Sequence, residues 1–571
     1  MNCPSRPDEI EGHPDWNQSP HALSADLTTR ADLNGIVNLR EQRQNKSSLD
    51  NSEQELIDLL PLNAPDPPLV KRKTASSVKV EPENQQQSGT LGIQQPPYPP
   101  QRKTNLQTAS GLLNKAVVTL QKYAKFVGPG FLIAVAYIDP GNYATDVQAG
   151  AATRYRHLFV ILLSNLFAIF LQSLCIKLGS VTGLNLAENC RKHLPKWLTI
   201  ILYLFAEAAI IATDMAEVIG SAIALNLLLH IPLVAGCAIT LIDVLLLLLF
   251  YKPDGSMMRL RVFEYFVMGL VLGVMICFCI QLSYIRDTSA AEVFKGYLPS
   301  AAVVQGNGIY LSCGIMGATV MPHSIFLGSG VVQPRLKQFD ERNGLIMILD
   351  ETDDDAEKYR PSVSAIRSCL KYSVAELAFS LFTFALFVNS AILIVAGSSL
   401  YPQTAATDAD LFGIHDLLSK NLSKAAGTIF ALALLLSGTS AGIVCTMAGQ
   451  MVSEGMLQWT IKPWMRRLIT RSISITPSII IAAAVGKEGL NQALTASQVA
   501  LSVILPFVTV PLVWFTCRSH IMSVPNEVGV RGGELVNMRN GWVVATLAVV
   551  IWLVLVVMNV ALLVLVGLGK A

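Results

Sequence analysis

Two apolar stretches of membrane length are each interrupted by proline at their centre, and no other feature of this chain narrows its fold so far. The first, residues 128–150, reads GPGFLIAVAYIDPGNYATDVQAG and carries Asp139-Pro140-Gly141-Asn142 in its middle. The second, residues 312–330, reads SCGIMGATVMPHSIFLGSG and breaks at Met321-Pro322-His323. Proline removes a backbone N–H and glycine adds backbone entropy, so each stretch predicts a discontinuous helix. A carboxylate inside hydrocarbon is costly without a partner, which makes Asp139 unlike a packing residue. Two interrupted helices in corresponding positions point to a binding site at the membrane midplane between two structural repeats.

The chain has 571 residues, of which 52% are hydrophobic and 15% charged. Soluble proteins carry about 25% charged residues, so the composition predicts a polytopic membrane protein. The net charge of +2 argues against nucleic acid as a partner. Ten cysteines, mostly within apolar segments and with no CxxC pair, suggest neither a disulfide framework nor a zinc site. Residues 1–50 hold no apolar core long enough for a signal peptide.

Residues 1–120 are polar and rich in Asn, Gln, Ser and Pro, which predicts a disordered cytoplasmic tail. Within it, Glu55-Leu-Ile-Asp-Leu-Leu60 has the spacing of an acidic dileucine signal, and Pro96-Pro97-Tyr98-Pro99-Pro100 that of a polyproline ligand or stiff spacer. Sorting or ubiquitination machinery is therefore an expected partner of the tail, with the lipid bilayer the partner of the rest. Eleven spans follow, centred near 139, 168, 212, 241, 272, 321, 385, 436, 476, 505 and 555. They divide into a repeat of five over 121–290, a second over 291–520, and a loop with an added eleventh helix over 521–571. A repeat of five inverts its second copy, so the expected fold is all-α, a 5+5 inverted repeat with broken helices 1 and 6.

Lys and Arg crowd the loops on one side (Arg191, Lys192 and Lys196; Lys252, Arg259 and Arg261) and thin out on the other, apart from Arg154 and Arg156. That asymmetry predicts a cytoplasmic N-terminus and an external C-terminus. Asn421-Leu-Ser423 then faces outward as a glycosylation candidate. The membrane expected is plasma, endosomal or vacuolar.

The breaks also carry the chemistry. Asp139 supplies an anionic oxygen and Asn142 an amide oxygen about one turn away. Met321 adds a thioether, and Ala318 a backbone carbonyl three residues earlier. Oxygen donors alone suit magnesium or calcium, whereas a thioether favours softer transition metals. The set argues for a divalent ion such as Mn²⁺ or Fe²⁺ as cargo, with no resident cofactor and no enzymatic chemistry.

The segments DPGN (Asp139–Asn142) and ATVMPH (Ala318–His323) resemble the Nramp divalent-metal transporters. TDMAEVIGSAIALN (213–226), ELAFSLFTFALFVNSAIL (376–393), TRSISITP (470–477) and LTASQVALSVILPF (494–507) extend the likeness. MPHSIFLGSGVVQPRL (321–336) and KYRPSVSAIRSCLKYS (358–373) resemble its fungal, Smf-type branch. The resemblance implies a LeuT-like fold and proton-driven uptake of Mn²⁺, Fe²⁺ and related ions. It also implies ligation by Asp139, Asn142, Met321 and the Ala318 carbonyl, with Gln498 joining in an occluded state and Ala136 lending a carbonyl facing inward.

A proton route is legible beside the metal site. Asp214 and Glu217 stand at i,i+3 on the third span and share a face. Two buried acids need cations or protons, and Arg466, Arg467 and Arg471 near the start of the ninth span are the natural partners. The resemblance makes Asp139 the proton acceptor, with Glu217 and Asp214 as exits. His323, just after the second break, titrates near neutrality and is expected to relay protons or gate, the alternative being a hydrogen-bonded packing residue. Many family members have Asn after this histidine and a second histidine five residues on; this chain has Ser324 and Gly328, so the second histidine's role does not carry over. Two rivals remain in view: a metal-sensing receptor signalling through its tail, and an amino-acid or sodium symporter of the same fold.

Overall fold

The computed structural model describes residues 128–249, 257–286, 288–305, 308–345, 359–401, 410–458, 463–526 and 535–568. The dileucine-like and proline-rich stretches of the tail lie outside these. The described chain is helical except for one antiparallel strand pair, β1 (Ser523–Pro525) with β2 (Leu535–Asn537). Eight of its helices are long and apolar enough to cross a membrane. Two shorter apolar helices, within α6 (Leu233–Leu249) and α16 (Pro463–Ala484), and the interrupted first span bring the number to the eleven expected.

Both interruptions fall where proline forces them. The first span is α1 (Pro129–Val135) and α2 (Pro140–Thr153), separated by residues 136–139. The sixth is α9 (Gly308–Thr319) and α10 (Pro322–Gly330), separated by residues 320–321. Each second half begins on proline, whose fixed φ suits the first helical position and whose missing N–H costs nothing there. The helices between are α3 (Leu158–Thr182), α4 (Leu186–His193), α5 (Lys196–Leu229), α7 (Met257–Ser283) and α8 (Ala290–Lys295).

After the second break come α11 (Gln333–Arg342) and a seventh span made of α12 (Val363–Ser380) and α13 (Leu386–Ser399), joined by a π turn over Leu381–Ala385. Then follow α14 (Leu411–Asn421), α15 (Lys424–Leu457), α17 (Lys487–Cys517) and α18 (Trp542–Gly567). Helices α4, α8, α11 and α14, the π turn and the strand pair are elements that the apolar pattern does not disclose.

The longest contact is between α5 and α15, each of 34 residues. Hydrocarbon offers no hydrophobic drive between helices, so small residues that let backbones approach supply the contact instead. Gly438 of α15 lies against Ser221 and the Glu217 carbonyl, and Gly449 against Ile210. Gly220 of α5 faces Pro140, which brings the third span up to the first break. Helix α2 packs on α13, α10 on α3, and α17 on α5 and α9. The last helix, α18, rests on α17 and α9 and leaves Leu547, Val550, Leu553 and Val557 exposed, as lipid contact requires.

Candidate metal site and proton route

The breaks free carbonyl groups in a defined pattern. Pro140 stands four residues after Ala136, and Pro322 four after Ala318. Neither alanine carbonyl can meet the N–H that a continuous helix would provide. The other open carbonyls of the first break are held by side chains. Tyr137 O accepts from Asn142 Nδ2 and Asn389 Nδ2, both at 3.1 Å, and Ile138 O accepts from Ser437 Oγ at 2.8 Å. Unwound backbone is thus tolerated because α13 and α15 satisfy it.

Asp139 caps α2. Its Oδ1 accepts from the Asn142 backbone N at 3.0 Å and from Asn142 Nδ2 at 2.7 Å. Oδ2 has no hydrogen-bond partner although it is fully buried. Asn142 then presents its own Oδ1 across the gap, where Thr319 Oγ1 at the end of α9 approaches to 3.4 Å. Met321, at the N-cap of α10, is completely buried, as is Ala318. Gln498 of α17 lies against Gly141: a Cβ there would sit 2.6 Å from Gln498 Cδ and 2.8 Å from Oε1. The Gln498 amide oxygen is buried and unpartnered. The fold therefore brings both breaks and Gln498 together. Thr319, whose Oγ1 donates to Ile315 O at 2.7 Å and so faces Asn142 from within its own helix, escapes a reading of the sequence because a threonine near a helix end is usually a local hydrogen-bonding residue.

Beneath Met321 a polar cluster joins three spans. Ser324 Oγ donates to Met321 O at 2.7 Å; Gln172 Nε2 donates to Ser324 Oγ at 2.8 Å and to Tyr137 OH at 2.9 Å. The Tyr137 hydroxyl and Ser324 Oγ stand 3.0 Å apart. Gly328, the position of the missing second histidine, lies directly against Gln172 Oε1, with Gln172 Cδ 3.2 Å from where a Cβ would stand. Gln172 occupies space that a histidine there would need.

Asp214 and Glu217 are buried on α5, and among the described residues Arg471 is the arginine that meets them. Arg471 of α16, itself buried, forms an ion pair with Asp214 and lies 3.7 Å from Glu217 Oε2. Gly442 of α15 makes room for it, since a Cβ there would stand 3.0 Å from Arg471 Nη2. The side chains of Arg466 and Arg467 lie outside the described residues. His323 Nδ1 is 3.3 Å from Thr213 Oγ1, next to Asp214, while its Nε2 has no partner. The histidine thus links the second break to the acidic face of α5.

Cys445 stands in an apolar segment, yet its sulfur and one oxygen each of Asp214 and Glu217 lie within 4.8 Å of one another. Arg471 already supplies the positive charge at that point, so the trio is not a second cation site.

A further ionic cluster anchors α1. Glu376 of α12 accepts from the Gly128 N–H at 2.5 Å and the Gly130 N–H at 3.2 Å, which satisfies two orphan donors at the helix start. Glu264 of α7 pairs with Arg335 of α11 at 3.0 Å beside Gly128. Gly128, with φ of 151°, adopts a backbone that favours glycine. Asn421 ends α14 in an exposed position, its amide donating to Ser399 O at 2.9 Å.

An all-helical bundle with two facing broken helices and a sealed, oxygen-rich site between them defines a secondary membrane transporter. The chain matches the family described as natural resistance-associated macrophage protein-like, Nramp, over residues 130–565, and it belongs to that family. It is 52% identical over 487 residues to the manganese transporter SMF1 of Saccharomyces cerevisiae, covering 77% of this chain and 85% of that one. To the iron transporter SMF3 of the same yeast it is 53% identical over 414 residues, covering 72% and 85%. Among solved structures it is similar to the Eremococcus coleocola manganese transporter, at 31% identity and a TM-score of 0.65, with 78% of this chain and 87% of that one covered.

Proposed function

We propose that this chain is a proton-coupled symporter that moves Mn²⁺, and with it Fe²⁺ and related divalent ions, into the cytosol by alternating access. Family membership and the relatives named as manganese and iron transporters support divalent-metal transport. One observation carries the assignment of the site: Asp139 keeps one buried oxygen without a partner, at the point where Asn142 meets the second break. An ion bound between Asp139 Oδ2, Asn142 Oδ1, the Ala318 carbonyl and Met321 Sδ would gain the partner that Asp139 lacks. Gln498 closes the shell from the α17 side, and the Ala136 carbonyl receives the ion as it leaves inward. Three oxygen donors and one thioether suit Mn²⁺ and Fe²⁺ better than Ca²⁺.

In this scheme Asp139 also takes up the proton. His323, set between the break and Thr213, passes it towards Asp214 and Glu217, where Arg471 holds the two acids. The N-terminus faces the cytosol, and the tail is where sorting machinery binds; the host membrane is plasma, endosomal or vacuolar. No covalent step enters the cycle.

The test is Mn²⁺ influx into proteoliposomes with internal pH 7.5 and external pH 5.5 or 7.5. Uptake should be faster from the acid side, and Asp139→Asn should abolish it. Flux indifferent to the gradient would make the protein a passive pore, and normal flux through Asp139→Asn would remove Asp139 from the site.

A further inference from the structure

The last helix, α18, contains no charged residue. It nevertheless holds a buried asparagine, Asn559, both ends of which are engaged. Its Nδ2 donates to Leu555 O at 2.7 Å, which fixes the amide so that Oδ1 faces α17. There Oδ1 accepts from Ser502 Oγ at 2.5 Å. Ser502 follows Gln498 by one helical turn on the same face of α17. Both residues bear on the second break: a Cβ at Gly317 would stand 2.9 Å from Ser502 Cβ and 3.5 Å from Gln498 O.

Two more bonds tie α18 to the same region. Trp552 Nε1 donates to Pro506 O at 3.0 Å, and Cys313 Sγ of α9 donates to Met558 O at 3.3 Å. Helix α17 contains Pro506 and Pro511, so its backbone is weakened just beyond Ser502. Asn559 and Trp552 therefore grip α17 on either side of its weak point. A cavity between Thr145 and Gln148 of α2, Tyr310 of α9, and Gln498 and Ser502 of α17 has Leu562 of α18 in its wall. Gln498, part of that lining, also lies against Gly141 of the first break.

We propose that Asn559 is a positioning residue for metal entry: through Ser502 it sets where Gln498 stands over Gly141, and so how the site closes behind an incoming ion. The proposal rests on the reading of this chain as a Mn²⁺ transporter. In lipid, a polar side chain in an apolar helix is costly unless it is used, and here its bond reaches a helix that carries a residue of the site. A merely structural asparagine would brace the bundle and leave metal affinity untouched.

Mn²⁺ uptake into proteoliposomes is measured for wild type, Asn559→Ala, Ser502→Ala, the double variant, and Asn559→Ala combined with Gln498→Ala. Wild-type uptake tests the transport reading by itself. Asn559→Ala should raise the apparent KM for Mn²⁺ three- to ten-fold, with the maximal rate within about two-fold of wild type. The double variant with Ser502→Ala should be no worse than either single change, and in the Gln498→Ala background the loss of Asn559 should add nothing. If Asn559→Ala does not survive purification, Ser502→Ala removes the same hydrogen bond from α17 by deleting one atom and carries the same expectation. An unchanged KM in an active variant, or effects that add fully with Gln498→Ala, overturns the proposal.

Discussion

Replacing Gly220 by alanine should disable the site without unfolding the protein. A Cβ at residue 220 would stand 2.5 Å from Pro140 Cγ and nearer still to Pro140 Cβ, with Leu434 Cδ1 at 3.5 Å. Ordinary carbon contacts lie at about 3.5–4.0 Å, so the overlap is roughly 1 Å. The proline ring has no rotamer in which to retreat, and relief must come from the start of α2 moving away from α5. Such overpacking costs about 1–3 kcal/mol. Alanine in mid-helix returns roughly 1 kcal/mol over glycine, so the net destabilisation is only about 0–2 kcal/mol. The geometric effect is far larger. Asp139 is bonded to Pro140 and travels with it, whereas ligand distances tolerate about 0.2 Å.

Gly220→Ala should therefore melt within a few degrees of wild type while its Mn²⁺ uptake falls at least tenfold. Gly269→Ala is the control, because nothing lies within 4 Å of its Cβ position. Thermal unfolding in detergent and initial uptake rates in proteoliposomes give the two readouts. A folded Gly220→Ala with wild-type KM and rate would refute the coupling of Asp139 to α5 through Pro140.

Glu217→Gln keeps the shape of a side chain facing Arg471 and removes one of its two negative partners; Mn²⁺ should still enter, with less proton movement recorded by a pH dye trapped in the vesicles. Equal proton flux would take Glu217 out of the route. Arg471→Leu should be the most damaging change at that end, because it strands Asp214 and Glu217 as buried charges, a loss of about 3–5 kcal/mol visible as a large fall in melting temperature. Glu376→Ala removes the acceptor for Gly128 and Gly130, a bond class worth about 1.5–3 kcal/mol, so the α1 amides should exchange hydrogen at least tenfold faster; unchanged exchange would mean that Glu376 does not hold α1.

The fold was legible where the sequence carries a local physical signal. Proline placed both breaks, apolar length placed the spans, and the three-residue spacing of Asp214 and Glu217 put two acids on one face. What stayed hidden depends on approach between distant segments. Arg471 was one of three arginines until the packing of α16 against α5 brought it to the acids. Gln172 had no mark in sequence, yet it occupies the space beside Gly328 and holds Tyr137 and Ser324 under Met321. Cys445 looked like one more small apolar residue because its acidic neighbours come from another span. Glu376 was seen only as part of a family-like segment, since capping a helix 246 residues away leaves no local pattern. Glycines were the underused signal: Gly141, Gly220, Gly328 and Gly442 each stand where another span touches the candidate site or the proposed proton route.

The central claim is that a thioether on a broken helix completes a site for transition metals. It is tested most directly by Mn²⁺ uptake into proteoliposomes with Ca²⁺ as competitor, wild type against Met321→Ala. Wild type should take up Mn²⁺ in the presence of excess Ca²⁺, and Met321→Ala should lose that discrimination and admit Ca²⁺. If Met321→Ala excludes Ca²⁺ as well as wild type does, the sulfur is not part of the filter, and the site as assigned is wrong.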